Sequence, residues 1–225
     1  MKRQLSEYST FFREVRSTFH TTGALTPSGR RLARAIVSPI RDHDQPLRIL
    51  EVGAGTGAVT QELVRHIGPD DRLDLVELND RFVEVLRRRF ETEPRFQAVA
   101  DRSEVFHSAV QDLKVDEPYD HIICGVPFNN FPTELVKSIF THMVGLLRPD
   151  GTLTFFEYLW IRHLKAIIAS SAERRRVSEV GGVLKEYIDR YERGHNKVLL
   201  NVPPAVAHHL MVSANGGNGN GNGHG

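Results

Sequence analysis

Between residues 45 and 160, short apolar runs alternate with longer stretches whose apolar positions recur every three or four residues. Residues 47–52, 72–78, 105–110, 121–124 and 152–158 read as strands. The second is opened by the turn Gly68-Pro69-Asp70-Asp71 and the last by Pro149-Asp150-Gly151. Residues 61–67 read as the end of a helix, and 81–90 and 132–147 as whole helices. Strands that alternate with helices in this way predict βαβ units and a parallel sheet. A further helix is expected from Trp160 to about Ala172. The order then changes, because the apolar runs 197–202 and 205–212 are separated only by Pro203-Pro204. No helix fits between them, so they are expected to pair antiparallel as a hairpin at the end of the sheet.

A chain of 225 residues with 40% hydrophobic and 25% charged side chains has the size and composition of one α/β domain with a sizeable core, which excludes disorder throughout. Its one cysteine, Cys124, cannot form an intrachain disulfide, and no Cys/His ligand cluster of the zinc type is visible, so no metal is expected. The opening Met-Lys-Arg-Gln-Leu-Ser-Glu-Tyr lacks the apolar run of a signal peptide. No window reaches the roughly 18 consecutive apolar residues of a membrane span. A cytoplasmic protein is expected. The last eleven residues, 215–225, are Gly and Asn with one His and have nothing to bury, so they are expected to form a disordered tail.

The most informative segment is Leu50-Glu51-Val52-Gly53-Ala54-Gly55-Thr56-Gly57-Ala58, which follows a strand and precedes a helix. Glycines at alternate positions let the backbone turn tightly and approach a ligand without Cβ interference, while the next helix offers free N–H groups. Glu77 ends the next strand, 20 residues beyond Gly57, where a carboxylate can accept hydrogen bonds from ribose hydroxyls. Loop and acid together point to a nucleoside-type cofactor. Gly53-x-Gly55-x-x-Ala58 also satisfies the relaxed dinucleotide pattern, so a nicotinamide stays open on these residues alone.

Glu-Val-Gly-Ala-Gly-Thr-Gly resembles the first motif of class I S-adenosylmethionine (SAM) methyltransferases, and Val-Glu-Leu-Asn, residues 76–79, their second. The resemblance implies SAM as cofactor and a Rossmann-like fold, mostly a parallel seven-stranded sheet ending in an antiparallel hairpin. It narrows further. Gly23-Ala24-Leu25-Thr26-Pro27-Ser28 with Arg31-Leu32-Ala33-Arg34, the loop Gly125-Val126-Pro127-Phe128-Asn129-Asn130-Phe131-Pro132, and Asn201-Val202-Pro203-Pro204-Ala205 resemble segments of bacterial phospholipid N-methyltransferases, the phosphatidylethanolamine and ornithine-lipid methylating group. The cofactor set this implies is Glu51, Gly53, Ala54, Gly55, Thr56, Gly57, Glu77, Leu78, Asn79, Ala109, Val110 and Gly125. Many of those enzymes have an Asp after the third strand to meet the adenine amino group; here Ala109 stands there, flanked by Ser108 and Val110, with Gln111 or Asp112 as substitutes in a shifted register.

Ribosomal RNA adenine dimethyltransferases share much of this layout. Their active-site loop reads Asn-Leu-Pro-Tyr, and aligned on Pro127 this chain has Gly125 in place of that Asn. An adenine amino group donates hydrogen bonds to such an Asn as it becomes nucleophilic, whereas an aliphatic amine has its own lone pair once deprotonated. The glycine and the lack of a basic RNA-binding appendage favour a free amine. A non-catalytic SAM-fold binding module is a third reading, distinguished by whether SAM is consumed.

Methyl transfer from a sulfonium is an in-line displacement, so the site mainly supplies alignment and a dry path. An aliphatic ammonium, with a pKa of about 10, must lose a proton first. Glu157, Tyr158 and His20 are the candidates to accept it. Phe128 is either an aromatic face for the methylated ammonium or a packing plug, and Pro127 is expected to border the acceptor.

The net charge of +1 divides unevenly: residues 1–35 carry seven basic and two acidic side chains, a net of +5, which leaves −4 for the rest. Leu5, Tyr8, Phe12, Val15 and Phe19 make one stripe of a helix, with Lys2, Arg13, Arg16 and His20 along its flank. Such a helix suits an anionic membrane interface, and equally suits packing over the cofactor cleft. The expected organisation is an amphipathic basic helix at residues 1–22, a methyltransferase domain at 23–214 and the tail at 215–225. It would work at the inner face of the cell membrane, with an anionic surface and an amine-headgroup lipid as partners and no nucleic acid; Phe12, Arg13, Arg16 and Phe19 would meet the bilayer.

Overall fold

The computed structural model describes residues 27–128, 131–159 and 171–212. The expected N-terminal helix, most of the helix expected from Trp160, and the tail lie outside them. The described residues form a seven-stranded sheet in the order β3-β2-β1-β4-β5-β7-β6. Its strands are β1 (Arg48–Val52), β2 (Arg72–Glu77), β3 (Ser103–His107), β4 (Tyr119–Cys124), β5 (Leu147–Tyr158), β6 (Glu192–Val198) and β7 (Ala205–Val212). All neighbours pair parallel except β7, which runs against both β5 and β6. The fold is therefore the expected Rossmann-like methyltransferase sheet with its antiparallel hairpin.

The central strands bury both faces, as their unbroken apolar runs require. On one face Leu50, Val52, Ile122, Cys124, Leu153, Phe155 and Leu210 join one core with helices α5 (Thr133–Leu146) and α6 (Ser171–Tyr191). On the other, Ile49, Leu73, Leu75, Ile123, Phe156 and Ala207 join a second core with α1 (Pro27–Val37) and the short α2 (Thr60–Leu63). Helix α3 (Asp80–Thr92) begins at Asn79, whose side chain caps it by accepting from the Arg81 and Phe82 amides. A four-residue helix, α4 (Pro94–Gln97), leads on to β3.

Several boundaries differ from the sequence reading: β3 begins at 103, β4 at 119 and β5 at 147, so the expected turn Pro149-Asp150-Gly151 lies within β5. The hairpin's first strand is 192–198, not 197–202. It is an edge strand that alternates half-buried and exposed positions and carries Arg193, His195 and Lys197 outward, so its polar composition concealed it. The apolar residues that suggested a strand, Leu199, Leu200 and Val202, are exposed in the connection instead. β3 ends at His107 rather than 110, because residues 110–112 close into a single 3-10 turn.

Strand order reverses at β1, between β2 and β4, so the crevice at the carboxyl ends of these strands is where an open α/β sheet binds a ligand.

Candidate functional site

The glycine loop springs from the carboxyl end of β1. Gly53, Gly55 and Gly57 have φ of 71°, 63° and 85°, a left-handed conformation that side chains resist, which is why this loop needs glycine at each of the three. Gly53 N–H donates to Val76 O at 2.8 Å, pinning the loop to β2. Gly57 also makes room: a Cβ there would come within 2.8 Å of Arg89 Nη1. Arg89, on α3, donates to Thr56 O at 2.8 Å and Gly57 O at 3.0 Å while Glu93 holds its guanidinium from behind at 2.7 and 2.9 Å. No motif marks Arg89 within the run Arg87-Arg88-Arg89, so sequence reasoning missed this clamp.

Glu77 is 2% exposed and directed under the loop. One carboxylate oxygen accepts the Gly55 amide at 2.7 Å, and the other accepts the Leu78 and Asn79 amides at 3.0 and 2.9 Å. Loop, acid and the following turn are thus one preorganised unit. Glu51 lies below it: Thr60 Oγ1 donates to Glu51 at 2.6 Å, which ties β1 to α2. Glu51, Ala54 and Asn79 shape the loop and the helix start, and none of the three lines the cavity described next.

That cavity opens between the ends of β1, β2 and β4. Val52, Gly53, Val76 and Val126 line it, with Glu77 and Leu78 at one side and Ser108 to Gln111 at the other. An apolar slot with a carboxylate at its mouth fits an adenosine-type group. The fit is supported by Ser108, whose buried hydroxyl has no hydrogen-bond partner among the described residues. Ala109 and Val110 stand in the wall; Gln111 lines the cavity while Asp112 does not.

Gly125 follows β4 and donates its N–H to Val52 O at 2.9 Å. A Cβ at this position would sit 3.0 Å from Gly53 O, so the backbones of the two loops pack where a side chain would otherwise go. Pro127 is half-buried beside it. Phe128 requires a correction. Its ring is 2% exposed, 5.0 Å from Phe140 and 6.2 Å from Phe131, in a cluster that continues to Phe155 and Tyr187. With its faces covered it packs the core and does not present itself to a cation. Asn129 and Asn130 lie outside the described residues.

Of the proton-acceptor candidates, Glu157 and Tyr158 are neighbours on β5 and point to opposite faces of the sheet. Tyr158 packs with the second core, edge-on to Phe156 at 5.3 Å, and burial raises its phenol pKa, which makes a proton-accepting phenolate rarer. It is on the wrong side of the sheet for the cavity. Glu157 shares its face with Phe155, two residues earlier; Phe155 pairs with Cys124, so Glu157 reaches the level of Val126 in the cavity wall. It is 8% exposed and lies 3.5 Å from His208 Nε2 on β7. His208 Nδ1 meets Glu192 of β6 at 2.6 Å, and Glu192 meets the exposed His195 at 3.5 Å. Burial alone would depress the His208 pKa, but the two carboxylates outweigh it and hold it above the ordinary histidine value. This carboxylate–imidazole–carboxylate row joins β5 to the later hairpin of β6 and β7, and only the Glu157 end was legible beforehand. His20 and the membrane-facing Phe12, Arg13, Arg16 and Phe19 lie outside the described residues.

A family model described as a methyltransferase domain matches residues 49–151, from β1 into β5. The chain is 29% identical over 139 residues to the ornithine lipid N-methyltransferase of Singulisphaera acidiphila, covering 61% of this chain and 71% of that protein. It is 34% identical over 123 residues to ribosomal RNA small subunit methyltransferase A of Geobacter metallireducens, covering 52% of this chain and 43% of that one, so it spans less than half of that protein. Among solved structures, the O-methyltransferase from Bacillus cereus in complex with SAH has a TM-score of 0.62 at 15% identity, over 93% of this chain and 89% of that one. At that identity the likeness is one of fold.

Proposed function

We propose, starting from a chain that is a class I SAM-dependent methyltransferase with SAM as its cofactor, that the methyl acceptor is the headgroup amine of a membrane lipid. Phosphatidylethanolamine and its partly methylated forms come first, ornithine lipid second. The observation that carries this reading is Glu157, a buried carboxylate level with the cavity wall and backed by His208 and Glu192. An aliphatic ammonium must be deprotonated before it can attack, and a carboxylate with an imidazole behind it is equipped to do that.

Glu77, the glycine loop and the Ser108–Gln111 wall would hold the cofactor, which when bound supplies an electrophilic methyl group whose leaving group departs uncharged. Glu157 takes one proton from the ammonium, leaving the nitrogen lone pair free. In its neutral form, with the proton on Nδ1, His208 takes that proton from Glu157 at Nε2 while Nδ1 passes its own to Glu192, and one proton reaches solvent for each methyl transferred. The dry wall of Val126 and Pro127 keeps water from the path of attack.

The similarity to a ribosomal RNA methyltransferase makes adenine the second reading. Gly125 speaks against it, because an amide side chain for an adenine amino group would have to displace the Gly53 carbonyl. In the lipid reading the enzyme acts peripherally at the inner face of the cell membrane.

The test is a pH profile of methyl transfer to phosphatidylethanolamine vesicles. Glu157→Gln should be slower than wild type by about tenfold or more at neutral pH and should recover toward it at about pH 10, where the amine deprotonates unaided. A wild type that leaves the vesicles unmethylated, or a variant equally impaired at every pH, would contradict the proposal.

A further inference from the structure

The connection between β6 and β7 is turned inside out. Its polar residue, Asn201, is 4% exposed and donates to Pro203 O at 2.6 Å, while Leu199, Leu200 and Val202 are 66%, 70% and 84% exposed. These are the most exposed large apolar side chains among the described residues. The loop is fixed rather than loose: Asn201 N–H donates to Val198 O at 3.2 Å, and Leu199 is followed by a turn whose far end, Pro204 O, accepts the Leu159 amide at 2.9 Å. Water-facing loops have the opposite pattern, and contiguous exposed apolar groups mark a contact surface.

Its position and surroundings say what it contacts. Ala205 pairs with both Val198 and Tyr158, so the loop projects from the carboxyl edge of the sheet, the edge that holds the glycine loop and Gly125. Leading up to it on β6, Arg193 and Lys197 are exposed, while the acidic residue of that strand, Glu192, is held by His208 and His195. Helix α1, packed against β6 and β7, adds exposed Arg30 and Arg31. An apolar tip bordered by cations matches the interface of an anionic bilayer, where the hydrocarbon takes the tip and the phosphates take the charges. A second protein would have to bring both an apolar socket and a row of anions to the same point.

We propose that Leu199, Leu200 and Val202 insert into an anionic membrane, with Arg193 and Lys197 on its phosphates, so that the carboxyl edge of the sheet faces the lipid headgroups. This rests on the lipid reading of the acceptor site.

The experiment separates the two claims by measuring docking on lipids that offer no amine to methylate. The whole protein is sedimented with vesicles of phosphatidylglycerol and phosphatidylcholine, and its thermal midpoint is recorded alongside. Leu199→Asp/Leu200→Asp should weaken vesicle binding by about tenfold or more at low and high salt alike; Arg193→Glu/Lys197→Glu should weaken it mainly at low salt. Both variants should keep the wild-type thermal midpoint and should still methylate a short-chain, monomeric phosphatidylethanolamine at the wild-type rate. Binding left unchanged by the apolar variant would overturn the proposal, as would a wild type that does not sediment with vesicles. A large drop in midpoint with binding intact would overturn it too, by showing that the chain itself covers the loop. If docking behaves as expected and no lipid amine is ever methylated, the acceptor reading fails while the docking surface stands.

Discussion

Phe128 and Gly125 sit three residues apart in one loop, and only one of them could be read from its neighbours. A glycine beside a glycine loop has a local meaning, since the absent side chain lets Gly125 N–H reach Val52 O and leaves 3.0 Å between a built Cβ and Gly53 O. An aromatic after proline has no such meaning: the ring nearest Phe128, Phe140, comes from α5, and Phe155 of β5 packs behind that ring. The same holds for Arg89, whose value lies in reaching the carbonyls of Thr56 and Gly57 more than 30 residues upstream. Because Phe128 is a core ring, Phe128→Ala should cost about 3–5 kcal/mol of folding stability. Chemical denaturation would show this as a lower midpoint, and the activity per folded molecule should stay near wild type. Full stability with lost turnover would return Phe128 to the acceptor site.

At the level of elements, the strands with two buried faces were legible because their apolar runs are unbroken, and the glycine loop because its spacing encodes backbone geometry. β6 was not legible. As an edge strand it buries alternate positions only, and its inward residues include Glu192, bound to His208, and Asn196, bound to Ser38 at 2.7 Å. β7 places two histidines on opposite faces with opposite fates. His209 is pushed down to about 4, by burial first and by His208 next, and meets Thr154 Oγ1 at 3.0 Å. His208 is raised above 6.5. A raised value means that the folded state holds the proton more tightly than the unfolded chain does. The stability His208 contributes is therefore fully present below pH 6.5 and fades as pH rises through its folded value. Thermal denaturation across about pH 6 to 9 should show the gap between wild type and His208→Gln widest at the acid end and closing upward. A gap independent of pH would mean that His208 acts only through its stacking on Phe155, whose ring lies 5.1 Å away.

On the scale of the whole molecule, the carboxyl edge of the sheet gathers the glycine loop, Glu77, the Gly125 loop, Glu157 and the apolar connection 199–204, while the polar ties at the opposite edge only brace the strands. There Asp71 accepts the Leu47 and Gly68 amides, and Asp120 accepts the Arg48 amide. The charge asymmetry in the sequence pointed to the first 35 residues as the membrane-facing part; the described residues carry a second cationic and apolar surface of their own on the hairpin. No helix among them is long and apolar enough to cross a membrane. The most direct test of the account gives the purified protein labelled SAM with separate pools of phosphatidylethanolamine vesicles, ornithine-lipid vesicles, ribosomal RNA and small soluble amines. Label should appear in a lipid pool, on the headgroup nitrogen; label in ribosomal RNA with both lipid pools blank would contradict it.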